Sequence, residues 1–299
     1  MAPRGGFERR RMSSQLLISG VIFGLSLASI YFLISIGLSL CFGLMRIISL
    51  DQLLYFTVGG YLAYTISAAV GNLWLGIVLG VFVGGLLAFA VERLVFRRIY
   101  ARELTFSMIT SFGILLAGIG SVKAIWGVVP RPVRMPLNEQ INLLGTDIPV
   151  YRLFVILAAA LVYGGIWLFL NRTIIGKAIR AGIEDMEHVE GLGINAARLF
   201  TITFVLAGAL SALAGGIYAP LIMVDPHMGL EILAFVFMVV IIGGLGSIKG
   251  TLYSSLLVGQ VVSLGSLIYA PLATMAPFAI MLLILLVRPT GLFGAPLSK

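Results

Sequence analysis

Residues 52–91 read QLLYFTVGGYLAYTISAAVGNLWLGIVLGVFVGGLLAFAV, a run without a single Asp, Glu, Lys or Arg. A membrane-spanning helix needs about 20 such residues, so the run is long enough for two crossings. A break is expected near Gly71 and Asn72, because these residue types favour turns over continued helix. The stretch therefore predicts two adjacent transmembrane helices joined by a tight turn.

Uncharged runs of this kind recur along the chain. Besides 52–91 they cover residues 12–45, 104–122, 153–171, 199–224, 232–248 and 250–287. At about 20 residues a crossing, four of them hold one helix each, and the last holds two, broken around Tyr269-Ala270-Pro271. The run 12–45 is long for one helix and short for two. We therefore expect an all-α, polytopic integral membrane protein with about nine transmembrane helices, within a range of eight to ten.

The composition excludes several classes of protein. Of 299 residues, 60% are hydrophobic and only 11% are charged, and the mean hydropathy is +1.10. A soluble domain carries about 25% charged residues. A soluble enzyme, a nucleic-acid-binding protein and a disulfide scaffold are thus excluded for the chain as a whole. The net charge of +8 is typical of Lys and Arg held in cytoplasmic loops that face anionic lipid.

Clusters of basic residues predict the orientation in the membrane. Four arginines lie between residues 93 and 102, and four basic residues lie in the polar loop 171–198. Two predicted crossings separate these loops, so the positive-inside rule places both on the cytoplasmic side, together with the C-terminus. Residues 127–151 then form an outer loop. The same count puts the basic segment 1–14 outside, against the rule, unless the first helix is split.

The loop 171–198, NRTIIGKAIRAGIEDMEHVEGLGINAAR, is the only stretch with a composition like that of a soluble protein. Its first half keeps helical spacing and leads into an acidic cluster, after which the glycines of segment 191–195 are expected to end the helix. Two interpretations are open. The loop is either solvated, or it forms a short amphipathic helix that docks into a groove of a partner through Met186 and Val189.

At this loop the sequence resembles the permease subunits of ABC importers for branched-chain amino acids, most closely the shorter, LivH-type subunit. The loop carries R-A-x-x-E-D-x-x-x-x-x-x-L-G-I-N at residues 180–195. Further matching segments follow the same order as in the family: VERLV at 91–95, ALAGG at 212–216, VDP at 224–226, IGGLGS at 242–247 and RPTGLFG at 288–294. The resemblance covers nearly the whole chain.

The resemblance implies that residues 1–299 form a single transmembrane permease domain of the bacterial inner membrane, with no enzymatic activity and no cofactor of its own. It implies two cytoplasmic ATPase subunits that hydrolyse ATP, a paralogous permease subunit and a periplasmic or extracellular substrate-binding protein, but no nucleic acid. The implied solute is a branched-chain or related amino acid. Permeases for amides, urea or small organic acids are alternatives, and a stand-alone ion-coupled carrier is another.

In this family the polar loop is a coupling helix that presses against an ATPase subunit. The residues to which the resemblance gives this role are Arg180, Glu184, Asp185, Glu190, Gly193, Ile194 and Asn195.

ATP binding by the chain itself is not expected, because no glycine directly precedes Lys249 in the Gly-rich segment 243–251, which is interpreted as a turn. His188 and His227 lack partners at ligand spacing, so no metal site is expected either.

The candidate substrate-path residues are Arg46, Ser49, Asp51, Gln52 and Tyr55. They lie where a helix is expected to be crossing, and a charged residue at such a position costs about 3 kcal/mol. They form either a solvated turn or an interrupted helix that lines the path, in which Arg46 balances the charge of Asp51. The resemblance favours the second. Related permeases often carry I-N-F-A-H-G-E where this chain reads ISLDQLL at 48–54, so the substrate stays open.

Overall fold

The computed structural model describes residues 5–100, 103–137, 139–143 and 146–294, with side chains from Gln15 onward except that of Leu143. The helices are α1 (Gly5–Met45), α2 (Gln52–Val70), α3 (Leu73–Leu94), α4 (Leu104–Trp126), α5 (Val150–Arg172), α6 (Ile174–Glu184), α7 (Met186–Gly191), α8 (Ala196–Tyr218), α9 (Met228–Gly243), α10 (Ile248–Ile268) and α11 (Leu272–Val287). The strands are β1 (Arg131–Pro132), β2 (Gln140–Leu143), β3 (Thr146–Pro149) and β4 (Met223–Val224). The protein is thus an all-helical membrane protein with a few short strands.

Seven helices of the described residues are long and apolar enough to cross a membrane, and α9 and α11 are apolar but shorter. The predicted break between α2 and α3 is confirmed. Gly71 ends α2 with a positive φ of 75°, and the Asn72 side chain accepts the N–H groups of Trp74 and Leu75 to cap α3. The last apolar run divides as predicted, between α10 and α11.

The run 12–45 lies within one continuous helix, α1, so the alternative of a split first helix is wrong. The glycines of α1 do not interrupt the helix. Gly20, Gly24 and Gly37 instead lie where a neighbouring helix approaches closely. Gly24 lies against Gln260 of α10, and Gly37 lies against the backbone of Ala207 in α8. The described residues therefore contain nine apolar helices.

The segment 127–151 is not wholly irregular. Strand β1 pairs antiparallel with β4, and β2 pairs antiparallel with β3, with Ile141 opposite the buried Ile148. The Thr146 hydroxyl donates to the carbonyl of Gln15 at 3.4 Å, so this hairpin lies beside the first part of α1. We call this end of the bundle the strand end. Residues 5–14 of the basic segment form the first turns of α1 at this end, and residues 1–4 lie outside the described residues.

The opposite end, which we call the polar-loop end, collects residues 95–100, α6, α7, the turn 244–247 and the segment 288–294. Thr201 near the start of α8 donates to Glu92 near the end of α3, at 2.9 Å. The two basic loops therefore share one end of the bundle, as predicted; Arg102 lies outside the described residues. Here the N–H groups of Leu292 and Phe293 donate to the last carbonyls of α9, those of Ile242 and Gly243, at 2.8 and 3.1 Å.

Helices α2, α3 and α8 pack closely against one another. Gly59 of α2 and Gly215 of α8 allow the two backbones to touch, because a Cβ atom at Gly215 would overlap the carbonyl oxygen of Phe56. Helix α1 crosses α8 and also packs along α10. Helix α4 is peripheral and is joined to the interior by Ser111, whose hydroxyl donates to the carbonyl of Ile48 at 2.9 Å.

Candidate functional site

Beyond its first residue, Arg46, the connection between α1 and α2 lies inside the bundle rather than at its end. Gln52, the first residue of α2, places its Nε2 atom 3.8 Å from the Cys41 Sγ atom and accepts a hydrogen bond from the Ser211 hydroxyl at 3.0 Å. Cys41 lies one turn before the end of α1. Ser211 lies 15 residues after the start of α8, or ~22 Å along its axis. Helix α2 therefore begins well within the bundle.

A left-handed residue ends α1. Arg46 has a φ of 52° and is the only non-glycine residue with a positive φ in the described part of the chain. Such a conformation costs about 1–2 kcal/mol and turns the chain sharply. Residues 46–51 then run without helical structure to Asp51, whose carbonyl accepts the N–H groups of Leu54 and Tyr55. Backbone of this kind at membrane depth occurs only where protein or a cavity surrounds it.

Four of the five predicted path residues form one buried cluster. The Asp51 carboxylate accepts hydrogen bonds from the Ser49 hydroxyl at 2.5 Å and from the Tyr55 hydroxyl at 2.6 Å. The Gln52 amide donates to Ser49 at 3.2 Å and accepts from Ser211 of α8. The side chains of these four residues and of Ser211 are fully buried. We call Ser49, Asp51, Gln52, Tyr55 and Ser211 the Asp51 cluster; its burial does not fit a solvated turn.

Arg46 does not belong to this cluster. Its side chain is exposed, and within the described residues the only ion pair joins His188 to Asp185. The expectation that Arg46 balances the charge of Asp51 is therefore wrong. The left-handed turn that ends α1 leaves Arg46 at the surface of the polar-loop end, while the following residues turn back into the bundle.

The chemistry of the cluster is that of a cation acceptor. In the described structure the Asp51 carboxylate has two hydroxyl donors and no cation within ion-pair distance. A buried carboxylate is costly unless it is compensated, so an ammonium or amide N–H group of a bound solute would find a ready acceptor. The helices close over the cluster, so a solute can reach it only when α1, α2 and α8 move apart.

Sequence reasoning missed two polar residues of the interior. Ser211 lies in an apolar run, where a single serine gives no distinguishing signal. Glu92 was noticed only as part of a motif, yet it is fully buried and accepts the hydroxyls of Tyr100 at 2.7 Å and Thr201 at 2.9 Å. Its position directly after the uncharged run 52–91 was the signal that could have identified Glu92 as a buried carboxylate. Glu92 thereby ties the end of α3 to the base of α8.

The predicted coupling loop forms two short helices. Thr173 caps α6 by accepting the N–H of Gly176, and Asp185 caps α7 by accepting the N–H of His188 at 3.2 Å. This N–H donor, more than any other group, holds the pKa of the Asp185 carboxyl below its usual value. Gly193 has a φ of 79° and ends the loop, and Asn195 caps α8 through the N–H of Arg198.

The loop presents a different face from the one predicted. Val189 is 2% exposed and Met186 is half-buried against Gly182, so neither forms the exposed apolar contact that the docking interpretation gave to them. The packing of the short helix α7 against the bundle decides which of its apolar residues are buried, and the helical spacing alone does not. Arg180, Glu184 and Glu190 are exposed, Ile194 is half-buried, and Leu192 is 79% exposed. The exposed surface of the loop is therefore charged, with Leu192 as an exposed apolar residue.

No group of three or more His, Cys, Asp or Glu residues that could hold a metal ion occurs in the described part of the chain. The turn at 243–251, interpreted from sequence as a turn and not a phosphate-binding loop, joins α9 to α10. Gly244 and Gly246 have φ angles of 94° and 85°. Ser247 caps α10 by accepting the N–H of Gly250 at 3.1 Å.

Comparison with known proteins gives matches along nearly the whole chain. The family model described as branched-chain amino acid transport system / permease component matches residues 20–287. The high-affinity branched-chain amino acid transport system permease protein LivH of Escherichia coli (strain K12) is 28% identical, covering 95% of this chain and 98% of LivH. BraD of Pseudomonas aeruginosa, which carries the same description, is 26% identical, covering 92% and 95%. The solved structure "PsaBC from Streptococcus pneumoniae in complex with Fab" has a TM-score of 0.47 at 16% identity and covers 94% and 92%.

Proposed function

The chain belongs to the branched-chain amino acid transport permease family, and from this premise we propose that it is the path-forming subunit of an ATP-driven importer for amino acids. As a permease component it is a multi-pass membrane protein without enzymatic activity of its own. The proposal adds the solute, the path and the partners. Its main support is the Asp51 cluster, a buried polar site at a helix interruption in an otherwise apolar bundle.

The cluster favours a solute that carries an ammonium group. An amino acid brings a cation to the Asp51 carboxylate, and its side chain would meet the apolar residues around α2 and α8. Amides and urea offer neutral N–H groups and could bind more weakly. A small organic acid would bring a second negative charge to a buried carboxylate, which is unfavourable. Among the alternatives, the geometry therefore supports amino acids first and amides or urea second.

We propose that Ser49, Asp51, Gln52 and Tyr55 line the translocation path when the bundle opens. Ser211 joins them because it connects the start of α2 to the middle of α8. Alternating access requires that the same site is reached first from one side of the membrane and then from the other. The cluster lies within the bundle, away from both of its ends, which is the position such a site needs.

We propose that the polar-loop end faces the cytoplasm and that α6 and α7 dock against an ATPase subunit. Glu184, Asp185 and Glu190 give the loop an acidic outer surface, which would suit basic residues on that partner. The loop connects to α8 through Gly193, Ile194 and Asn195. A displacement of the loop would thus be carried directly to the helix that holds Ser211.

The complete assembly would contain a second, paralogous permease and two ATPase subunits. A substrate-binding protein would dock at the strand end, outside the inner membrane, and the C-terminus would lie in the cytoplasm. A single coupling loop in this chain supports a second permease, because an ATPase dimer offers two docking grooves. ATP would be bound only by the ATPase subunits.

The test is ATP-dependent uptake by the complete assembly in proteoliposomes. The chain is co-purified with the second permease and the ATPases, and radiolabelled leucine is supplied with the binding protein. We expect uptake that needs ATP, the binding protein and every subunit, and that unlabelled amino acids compete. If urea or acetamide competed and amino acids did not, the solute would be an amide or urea and not an amino acid. Uptake by this chain without the ATPases would contradict the importer.

A further inference from the structure

Two cavities adjoin along α5 and share Tyr163 in their linings. The first, of about 510 Å³, lies at the polar-loop end between α5, α6 and the start of α10. The second, of about 210 Å³, lies deeper, between α1, α5 and α10. Along α5 the lining passes from Ile156 in the deeper cavity, through Tyr163, to Asn171 in the first. Together they form one groove that runs from the end of the bundle towards its middle.

The mouth of the groove is positively charged. Arg180 of α6 and Lys249 of α10 line it, both are exposed, and no carboxylate of the described residues lies within ion-pair distance of either. The Arg180 guanidinium donates to the Asn171 amide oxygen, which holds it beside the cavity. Glu184 contributes one negative charge to the lining. The first turn of α10 adds N–H groups and the positive end of a helix dipole.

The deeper part of the groove is apolar. Phe32, Ile156, Ala160, Leu252 and Leu256 line it. The side of α5 beside it is apolar and exposed, since Leu157 is 58% exposed and Leu161 is 68% exposed. Trp167, which lines the mouth, is 50% exposed, and tryptophan at this position is typical of the boundary between lipid tails and head groups. The groove therefore opens to the membrane.

We propose that this groove binds one anionic phospholipid. The phosphate lies between Arg180 and Lys249, and an acyl chain follows α5 and α10 into the apolar cavity. A free phosphate would satisfy the mouth but leave the deeper cavity without an occupant. A membrane lipid offers both parts of the required chemistry, a negative head group and a long apolar tail.

The groove also reaches the proposed coupling helix, because Arg180 belongs to α6. An anionic lipid in this position would hold α6 against the end of α10. Lipid occupancy is measured as binding and does not depend on transport. Failure of this inference would therefore leave the proposed function untouched, and failure of the importer would leave the lipid site untouched.

The test uses Trp167 as a reporter in the intact membrane complex that contains the full chain. Trp74 and Trp126 are replaced by Phe in this chain, and any tryptophans of co-purifying subunits are accounted for with a Trp167→Phe complex. The complex is placed in phosphatidylcholine nanodiscs with a small, equal fraction of brominated phosphatidylglycerol or brominated phosphatidylcholine. We expect brominated phosphatidylglycerol to quench Trp167 more strongly.

Charge and shape are then tested separately. Lys249→Gln should weaken the preference for phosphatidylglycerol about fivefold, whereas Lys177→Gln, a matched change at an exposed position outside the groove lining, should leave it intact. Ala160→Leu should fill the apolar cavity and reduce quenching by the brominated chain.

Equal quenching by the two lipids overturns the proposal, as does displacement of the brominated lipid by inorganic phosphate. Groove coverage by a second permease chain would appear as equal quenching. Trp126 donates a hydrogen bond to Thr65, and Trp126→Phe could destabilise the chain. Native mass spectrometry of the complex with all tryptophans present therefore provides the second measurement. One phosphatidylglycerol retained by the unaltered complex and lost in Lys249→Gln supports the site, and no difference refutes it.

Discussion

Two tyrosines of α2 offer a matched test of the Asp51 cluster. Tyr55 and Tyr61 are both fully buried and lie on the same helix. The Tyr55 hydroxyl donates to the Asp51 carboxylate at 2.6 Å, whereas the Tyr61 hydroxyl has no hydrogen-bond partner in the described structure. The same substitution, Tyr to Phe, therefore removes one oxygen atom from two very different surroundings.

The two substitutions should change the free energy of unfolding in different ways. A hydrogen bond to a charged group contributes ~1.5–3 kcal/mol, and Tyr55→Phe should lower the stability by about that amount. Tyr61→Phe breaks no bond and removes a buried hydroxyl whose desolvation costs ~1–3 kcal/mol, so it should be neutral or stabilising. At about 2–4 °C for each kcal/mol, Tyr55→Phe should lower the thermal midpoint by roughly 3–12 °C.

The assay is the temperature at which half of the detergent-purified complex is lost from its monodisperse peak in size-exclusion chromatography. Both variants and the unaltered chain are heated under identical conditions. A midpoint that falls for Tyr55→Phe and stays level or rises for Tyr61→Phe supports the cluster. Equal losses, or a larger loss for Tyr61→Phe, would mean that the Tyr55 hydroxyl does not hold the Asp51 carboxylate as described.

Three further predictions follow from the same geometry. Asp51→Asn should reduce the efficiency of amino acid uptake roughly tenfold or more at unchanged membrane expression, because it removes the charged acceptor; unchanged uptake would exclude Asp51 from the path. Glu184→Lys combined with Asp185→Asn, which keeps the cap of α7, should uncouple ATP hydrolysis from uptake, and normal coupling would contradict the docking surface. Gly193→Val should cost about 1–2 kcal/mol through its left-handed backbone, whereas Gly191→Val, in equally open space, should be nearly neutral in the same heating assay.

The helices were predictable because their signal is local. An uncharged run of sufficient length is enough to identify a crossing, and Gly71 with Asn72 marks the end of one helix and the cap of the next. The unbroken α1 was not predictable in the same way. Gly24 and Gly37 can either bend α1 or allow another helix to pack closely against it. Which of the two occurs depends on α10 and α8, which are distant in sequence.

The site was predictable only in part, for a similar reason. Polar residues at an apolar boundary identified residues 49–55, but the hydrogen bond from Ser211 to Gln52 joins positions 159 residues apart. The predicted pairing of Arg46 with Asp51 was wrong because nearness in sequence does not determine the direction in which a side chain points. The left-handed backbone of Arg46 turns its side chain away from Asp51. The burial of Val189 likewise depends on the helix packing beneath α7.

The hydrogen bonds that close the end of α9 have a consequence for biosynthesis. Among the described residues, the carbonyls of Ile242 and Gly243 are paired by the N–H groups of Leu292 and Phe293. These donors are synthesised about 50 residues later, or roughly 3–10 s at ribosomal speed. During that interval α10 and α11 must enter the membrane while the end of α9 is paired with water. The final docking of α9 is therefore a late step of membrane insertion, completed after the two helices that follow it.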